Sequence, residues 1–432
     1  MKLDPVRLKK QEAFVELWRS NKGRGTLEAS TGFGKTYTAI LIIQKLRAKN
    51  PSATVLVSVP SNTLKDQWNA ELKTFGLKAD VTVINSIIKR DLSYDLLILD
   101  EIHNTGAATF SKIFQKVKYR YVLGLTATMD RMDGNEVMIK QKCPVLLTVS
   151  MKEAERSKFI SRFNLFNYGI TLEGSELNYL NKLNAEVDKL FNFFEGNYSL
   201  IDTILKGGNI GVNINGTYTT VERGAMSTKA VFHFAKAKGI DPSIVIGMAA
   251  NYMKAIGQRK RYLYDHPKKL VVAQQIIKKF GSRKIITFSQ SVAFAKKLNS
   301  LTTDSFFYDA KTKAYNQKRL EDYRQGHYNI IHSVKALDEG FNVKSLDMAI
   351  HIAGTSQPRQ FIQRVGRVVR QQEGKTAIVV DIYIKGSQEE KWLRNRQSKS
   401  KKAIEISSVE EITEQVNIFE TSNNNYDGLF EP

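Results

Sequence analysis

Short runs that are apolar at almost every position recur along this chain, and they restrict its fold more than any other feature. Val55-Leu56-Val57-Ser58-Val59, Leu96-Leu97-Ile98-Leu99 and Tyr121-Val122-Leu123-Gly124-Leu125 lie near the beginning. Lys284-Ile285-Ile286-Thr287-Phe288, Ile330-Ile331-His332-Ser333, Met348-Ala349-Ile350-His351-Ile352 and Ala377-Ile378-Val379-Val380-Asp381 repeat the pattern late. A strand without a polar face needs cover on both sides, which a parallel sheet flanked by helices provides. The spacing predicts an α/β protein with two parallel-sheet units and different material between them.

The intervening region, about 150–265, has helical periodicity. Leu177, Leu180, Leu183, Val187, Leu190, Phe191 and Phe194 form an amphipathic stripe whose role is core packing. Asn215-Gly216 separates two β-prone runs between 209 and 221, which predicts a hairpin because both turn positions require positive φ. A basic helical stretch containing Arg259-Lys260-Arg261 follows. The expected domains are 1–148, then 149–390 with a mainly helical insertion at about 190–265, then a charged tail at 391–432. That tail is basic from Lys391 to Lys402 and acidic beyond, with disorder expected over its last ten or so residues.

Charge narrows the partners. Lys and Arg number 65 against 43 Asp and Glu, a formal net charge of +22, and a field of that sign attracts polyanions such as nucleic acid. The single cysteine, Cys143, excludes a disulfide framework or multi-cysteine metal site within one chain, and its apolar neighbours predict a buried structural thiol. No run reaches the roughly 20 apolar residues of a membrane span, and no secretory signal opens the chain. A cytoplasmic protein without a membrane partner is expected.

Ala29-Ser30-Thr31-Gly32-Phe33-Gly34-Lys35-Thr36 carries the chemistry. Glycines let successive N–H groups turn toward one anion at a helix start, where the helix presents its positive end. Lys35 can reach the β- and γ-phosphates of ATP, and the Thr36 hydroxyl can ligate Mg²⁺. Ala29 stands where the usual pattern has its first glycine. Asp100 and Glu101 follow an apolar strand, placing two carboxylates at a sheet end. Asp100 would hold Mg²⁺, and Glu101 would orient and deprotonate the attacking water. Arg367 and Arg370, at i and i+3, would share one helical face and could meet the charge that develops on a transferring phosphoryl group.

In this order, the motifs resemble those of superfamily-two helicases and translocases. The phosphate loop resembles motif I, Pro60–Trp68 motif Ia, Asp100-Glu101-Ile102-His103 motif II in its DExH form, and Leu125–Thr128 motif III. Phe288-Ser289-Gln290 resembles motif IV, Leu337–Asn342 motif V, and Gln363–Arg370 motif VI. Thr126–Gly134 is similar to the form found in the XPB and UvsW group, with Met129 in place of the usual proline. The chain looks like a compact phage branch-migration helicase of the UvsW kind, without the N-terminal DNA-binding domain of that group and without the wedge domain of RecG. Any junction-reading element is then expected in the insertion or the tail.

The resemblance implies two tandem RecA-like domains and several further roles. Arg7 and Gln11 would read adenine, while Ser30, Thr31, Gly32, Phe33, Gly34, Lys35 and Thr36 hold the phosphates. Asp338 and Gly340 would sense nucleotide from the second domain, and Gln363 would join Arg367 and Arg370 in catalysis. His103, Thr126 and Thr128 would couple nucleotide state to domain closure. Ser61, Thr63, Asn85, Ser86, Ser289, Gln290 and Thr312 would line the nucleic-acid track, mostly against phosphates and so without reading sequence. Trp68 reads as core rather than as a base-stacking platform. The implied activity is ATP-driven remodelling of branched DNA by a monomer. An RNA helicase and a clamp that binds ATP without turnover remain as alternatives.

Overall fold

The structure is a computed structural model that describes residues 4–106, 110–129, 136–206, 211–214, 217–220, 226–308, 313–334, 346–372, 374–398 and 400–427. It divides into two compact units, one made of Met1–Ile170 with Lys269–Pro432, the other of Thr171–Lys268.

The larger unit holds two parallel sheets. The first comprises β1 (Arg24–Ala29), β2 (Val55–Val59), β3 (Asp80–Val83), β4 (Leu92–Asp100), β5 (Val117–Thr126) and β6 (Val145–Val149), in the order β3-β2-β4-β5-β1-β6. Every position of β2 is buried, Ser58 included, as its almost wholly apolar run requires. β7 (Arg162–Ile170) then opens the second sheet.

In the smaller unit, the stripe that begins at Leu177 lies on the helix Gly174–Phe193, which buries Leu180, Leu183, Val187 and Leu190. β8 (Gly211–Ile214) pairs antiparallel with β9 (Thr217–Thr220), with Ile214 opposite Thr217. The turn residues Asn215 and Gly216 lie outside the described residues. The helices Met226–Lys238 and Pro242–Tyr264 follow, and the second carries Arg259-Lys260-Arg261. This unit has its own core, in which Phe194, Ile201, Phe234 and Val245 are all but inaccessible.

The second sheet is completed by β10 (Ile285–Ser289), β11 (Ser305–Tyr308), β12 (Ile330–Val334), β13 (Met348–His351), β14 (Thr376–Ile384) and β15 (Ile404–Ile406). Its order is β11-β12-β10-β13-β14-β7-β15, again all parallel. Together the two sheets form a tandem RecA-like fold. Four of its strands are the late apolar runs, and three more are present: β7, β11 and β15.

β15 gives part of the charged tail a place in the second sheet. The stretch after residue 390 returns a strand to the sheet and inserts polar groups into it. Arg396 Nη2 donates to Asp381 Oδ1 at 2.9 Å, and Gln397 Nε2 donates to Asp381 Oδ2 at 2.6 Å. His351 Nδ1 is 3.0 Å from the same carboxylate. The Arg396 guanidinium and the His351 ring hold the Asp381 carboxyl below the usual carboxylate range, against a burial effect that works in the opposite direction. The tail also includes the helix Val409–Asp427, where disorder was expected past about 422. Residues 428–432 are not among the described residues.

Cys143 is buried as expected, and burial pushes its thiol up to about 11. Among the described residues, no helix is long and apolar enough to cross a membrane.

His332, on β12, is a polar residue at the centre of the second sheet. Its Nδ1 lies 2.9 Å from Thr287 Oγ1, and burial lowers its pKa to about 3. The folded protein therefore keeps this ring neutral at pH values where an unfolded chain protonates it. A folded pKa below the unfolded value means that the full contribution to stability is present above about pH 6.5 and is lost as pH falls toward about 3. By pH 5 the loss should reach about 2 kcal/mol. Equilibrium unfolding at pH 7 and pH 5 should show this drop, and it should shrink by about that amount in His332→Asn.

Candidate active site

The helix Pro5–Ser20 begins the site. The Asp4 carboxylate accepts from Val6 N at 2.9 Å and Arg7 N at 3.2 Å, and Pro5 supplies a first-turn residue that has no N–H to satisfy. This cap sets the helix start, and Arg7 and Gln11 then fall on one face at i and i+4. Gln11 is buried, and its Nε2 donates to Phe33 O at 2.8 Å, fixing the phosphate loop from the side. Arg7 Nη2 donates to Phe159 O at 3.0 Å and to Gln371 Oε1.

The loop runs from the end of β1 to the helix Lys35–Lys49, which Gly34 enters at φ 89°. A Cβ on Gly34 would lie 2.6 Å from Gln11 Nε2, so this position requires glycine on two grounds. Lys35 Nζ donates to Ala29 O at 2.8 Å. Burial holds its ammonium below the usual lysine range, while the neighbouring carboxylates of Glu101 and Asp100 oppose the shift. Ser30 Oγ, Thr31 Oγ1 and Gln11 Oε1 are buried and have no hydrogen-bond partner among the described residues. Buried polar atoms are nearly always satisfied, so three such atoms around one glycine-rich loop mark a ligand cradle. Two hydroxyls suit phosphate oxygens, and the amide oxygen can accept from an adenine amine.

Asp100 and Glu101 sit where β4 ends. Asp100 Oδ2 accepts from Trp68 Nε1 at 2.8 Å, and Oδ1 accepts from Glu101 N at 3.0 Å. Burial raises the Asp100 pKa, opposed by the Trp68 N–H and the Lys35 charge. Glu101 adopts a left-handed φ of 52°, a strained conformation for a non-glycine residue, which turns its side chain away from the strand direction. Its Oε1 accepts from Gln363 Nε2 at 3.3 Å, so motif II and motif VI meet across the two sheets. Among the described residues there is no cluster of three His, Cys, Asp or Glu side chains that could cage a metal. The hard oxygens of Asp100 and Thr36 instead fit Mg²⁺, which is commonly held by one carboxylate together with substrate phosphates.

A polar relay leads away from Glu101. His103 Nδ1 is 3.4 Å from Glu101 Oε2 and 3.0 Å from Thr126 Oγ1. The Thr126 hydroxyl donates its proton to Thr128 O at 2.8 Å, so it accepts from His103, and Nδ1 carries the hydrogen. Motifs II and III are joined in this way.

Motif VI differs from its sequence reading. The helix Pro358–Val368 ends before Arg370, which forms an isolated antiparallel bridge with Ile160. Arg367 and Arg370 therefore do not share a helical face. Gly366 brings this helix against the phosphate loop, where a Cβ would fall 1.6 Å from Thr31 Oγ1.

Of the residues assigned to the nucleic-acid track, Ser61 caps the helix Asn62–Thr74 by accepting from Leu64 N at 3.4 Å. Thr63, Asn85 and Ser86 are exposed at the carboxyl-terminal side of the first sheet. Gln290 is half-buried just past β10. Ser289 is buried and donates to Ser291 O at 3.2 Å, which turns its hydroxyl inward rather than toward a strand. Thr312, Asp338, Gly340 and 130–134 lie outside the described residues.

Sequence reasoning missed three parts. Trp68 bonds the Asp100 carboxylate. Gly366 lies directly against the phosphate loop at Thr31. Glu28 accepts from Met129 N at 3.0 Å and from Thr148 Oγ1 at 3.2 Å, tying the end of motif III to β1 and β6. A charged residue inside an otherwise apolar strand could have flagged Glu28.

A phosphate loop at the end of one parallel sheet, completed by residues of a second, defines a nucleotide-hydrolysing motor. The family model "Type III restriction enzyme, res subunit" matches residues 1–92 and 84–131, and "Helicase conserved C-terminal domain" matches 268–372. The chain is 24% identical over 414 residues to the DNA 3'-5' translocase XPB2 of Sulfurisphaera tokodaii, spanning 91% of this chain and 85% of that protein. A protein of African swine fever virus named as an ATP-dependent RNA helicase, QP509L, is 34% identical over 144 residues, 27% of each chain. Among solved structures, Saccharomyces cerevisiae Dbp5 bound to RNA and ADP BeF3 shares the fold, with TM-score 0.58 at 13% identity, over 96% of this chain and 97% of that one. The chain is a superfamily-two helicase, an ATP-hydrolysing enzyme with homology to XPB translocases.

Proposed function

We propose that the enzyme uses ATP to translocate on and remodel DNA, with forked or four-way junctions as substrates, the branch-migration activity of the phage helicases it resembles. The observation that carries DNA over RNA is the extent of similarity: the match to a DNA translocase runs over 91% of the chain, whereas the RNA-helicase-named protein matches over 27%. Domain assignments follow the sequence reading, with ATP bound by 1–148 and the site completed from 149–390. Arg7 and Gln11 face adenine. Ser30 to Thr36, with Lys35 at the β/γ-phosphates, hold the triphosphate. Mg²⁺ held by Thr36 and Asp100 would neutralise phosphate charge, and Glu101 would take the proton of the attacking water. Gln363, Arg367 and Arg370 meet the γ-phosphate on closure, Asp338 and Gly340 sense nucleotide, and His103, Thr126 and Thr128 pass the change on. Ser61, Thr63, Asn85, Ser86, Gln290 and Thr312 contact the strand, and Ser289 supports that edge from inside. The protein acts in the cytoplasm as a monomer in the absence of DNA.

The hairpin β8–β9 supplies the junction-splitting element in this reading. Supporting it are its place in a separate compact unit and the basic helix that follows. ATPase rates with single strands, duplexes, forks, four-way junctions and RNA test the substrate class. Branched DNA should stimulate most, and RNA stimulating best would favour the alternative. Deleting 209–221 should abolish unwinding of forks and junctions while sparing single-strand-stimulated ATPase. Unwinding that survives the deletion would remove the hairpin from the account.

A further inference from the structure

We propose that Trp68 is a positioning residue that transmits nucleic-acid occupancy to the Mg²⁺ carboxylate, Asp100. The inference rests on the reading of Asp100 as the metal carboxylate. Trp68 is 1% exposed, which by itself would make it an ordinary core residue. Its ring N–H, however, donates at 2.8 Å to Asp100 Oδ2, a carboxylate oxygen at the open end of a parallel sheet. A core tryptophan needs only some acceptor for this hydrogen, such as the carbonyl that Trp18 Nε1 finds at Val122 O, 2.9 Å away. Trp68 instead uses the one carboxylate whose orientation the metal depends on.

The second end of the connection is on the same helix. Asn62–Thr74 starts at Ser61 and Thr63, the residues assigned to the strand-binding edge. Trp68 is five residues beyond Thr63, about 8 Å along the axis. A helix is stiff over one and a half turns, so a strand that seats its first turn also sets the height of the Trp68 ring. Glu101 N donates to the other Asp100 oxygen at 3.0 Å, so the carboxylate is held from two directions and Trp68 is the one that can move with bound nucleic acid. Partners that orient a metal-ligating carboxylate typically account for 10–100-fold in metal affinity.

The test is the binding of a fluorescent, non-hydrolysable ATP analogue, titrated with MgCl₂ in the presence and absence of single-stranded DNA. In the unmutated enzyme, DNA should lower the Mg²⁺ concentration needed for half-maximal binding. Trp68→Phe, which keeps an aromatic ring and removes the donor, should raise that concentration about tenfold and abolish the DNA effect. Leu72→Ala, a packing loss on the same helix, should leave both unchanged; if it reproduces the Trp68→Phe result, the role is packing and the inference is overturned. A Trp68→Phe enzyme with unaltered Mg²⁺ response and DNA effect also overturns it. If analogue binding to the unmutated enzyme ignores Mg²⁺ altogether, the reading of Asp100 fails first, a separate result. A measurement without any change at Trp68 covers a variant that does not fold. The chain has three tryptophans, so 5-fluorotryptophan labelling gives three ¹⁹F resonances, two of them assigned by Trp18→Phe and Trp392→Phe. The third should shift when DNA is added without nucleotide, and a resonance that stays in place contradicts the inference.

Discussion

Glu101→Gln should lower the nucleic-acid-stimulated kcat by about 10²–10⁴-fold, the range that a positioned general base contributes. Nucleotide affinity and thermal midpoint should hold. The substitution keeps the shape of the side chain and its contact with Gln363 Nε2, 3.3 Å from Oε1, so the meeting of the two sheets survives. It removes the negative charge facing His103 Nδ1 at 3.4 Å and the capacity to accept a proton from water. The left-handed φ of 52° is unaffected, which separates the chemical loss from any backbone change. Single-turnover hydrolysis with saturating ATP reads this directly. A variant within tenfold of the unmutated rate would move the base elsewhere, and loss of nucleotide binding would instead assign Glu101 to the pocket.

Gly366→Ala should cost about 10²–10³-fold in kcat with a much smaller change in ATP affinity. Thr31 leaves no room: its Oγ1, Cβ and Cγ2 would lie 1.6, 2.5 and 2.9 Å from the added methyl group. These atoms belong to the phosphate loop, whose backbone Gln11 pins, so the loop cannot yield easily and the helix Pro358–Val368 must withdraw. Arg367 withdraws with it. An arginine at the γ-phosphate is worth about 10³–10⁵-fold in comparable enzymes, and partial displacement forfeits part of that. Thr31→Gly in the same chain removes the clash and should restore activity relative to Gly366→Ala alone. A Gly366→Ala enzyme with full activity would show that the approach seen here is not the catalytic one.

How much of this was legible from the residues depends on how local the cause is. β2 and β14 could be read because burial on both faces leaves a run that is apolar at most positions. β7 could not: Asn164, Asn167 and Gly169 interrupt it, and Asn167 is tolerated because its side chain bonds Glu405 and Gln397 from the tail. β15 is three residues long and owes its existence to the strand beside it. In the site, the phosphate loop and the two acids were local patterns and were found. The loss of the shared face between Arg367 and Arg370 was not foreseeable from spacing, since Arg370 is drawn out of the helix by pairing with Ile160, more than two hundred positions away. Trp68 and Gly366 matter for what they touch across the fold, and no periodicity carries that information.

The most direct measurement is the ATPase rate of the unmutated enzyme and of Lys35→Ala, each with and without single-stranded DNA. The account predicts a low rate that DNA raises many-fold in the unmutated enzyme, and a rate near background under both conditions in Lys35→Ala. Equal rates with and without DNA, or a Lys35→Ala enzyme that retains DNA-stimulated hydrolysis, would contradict it.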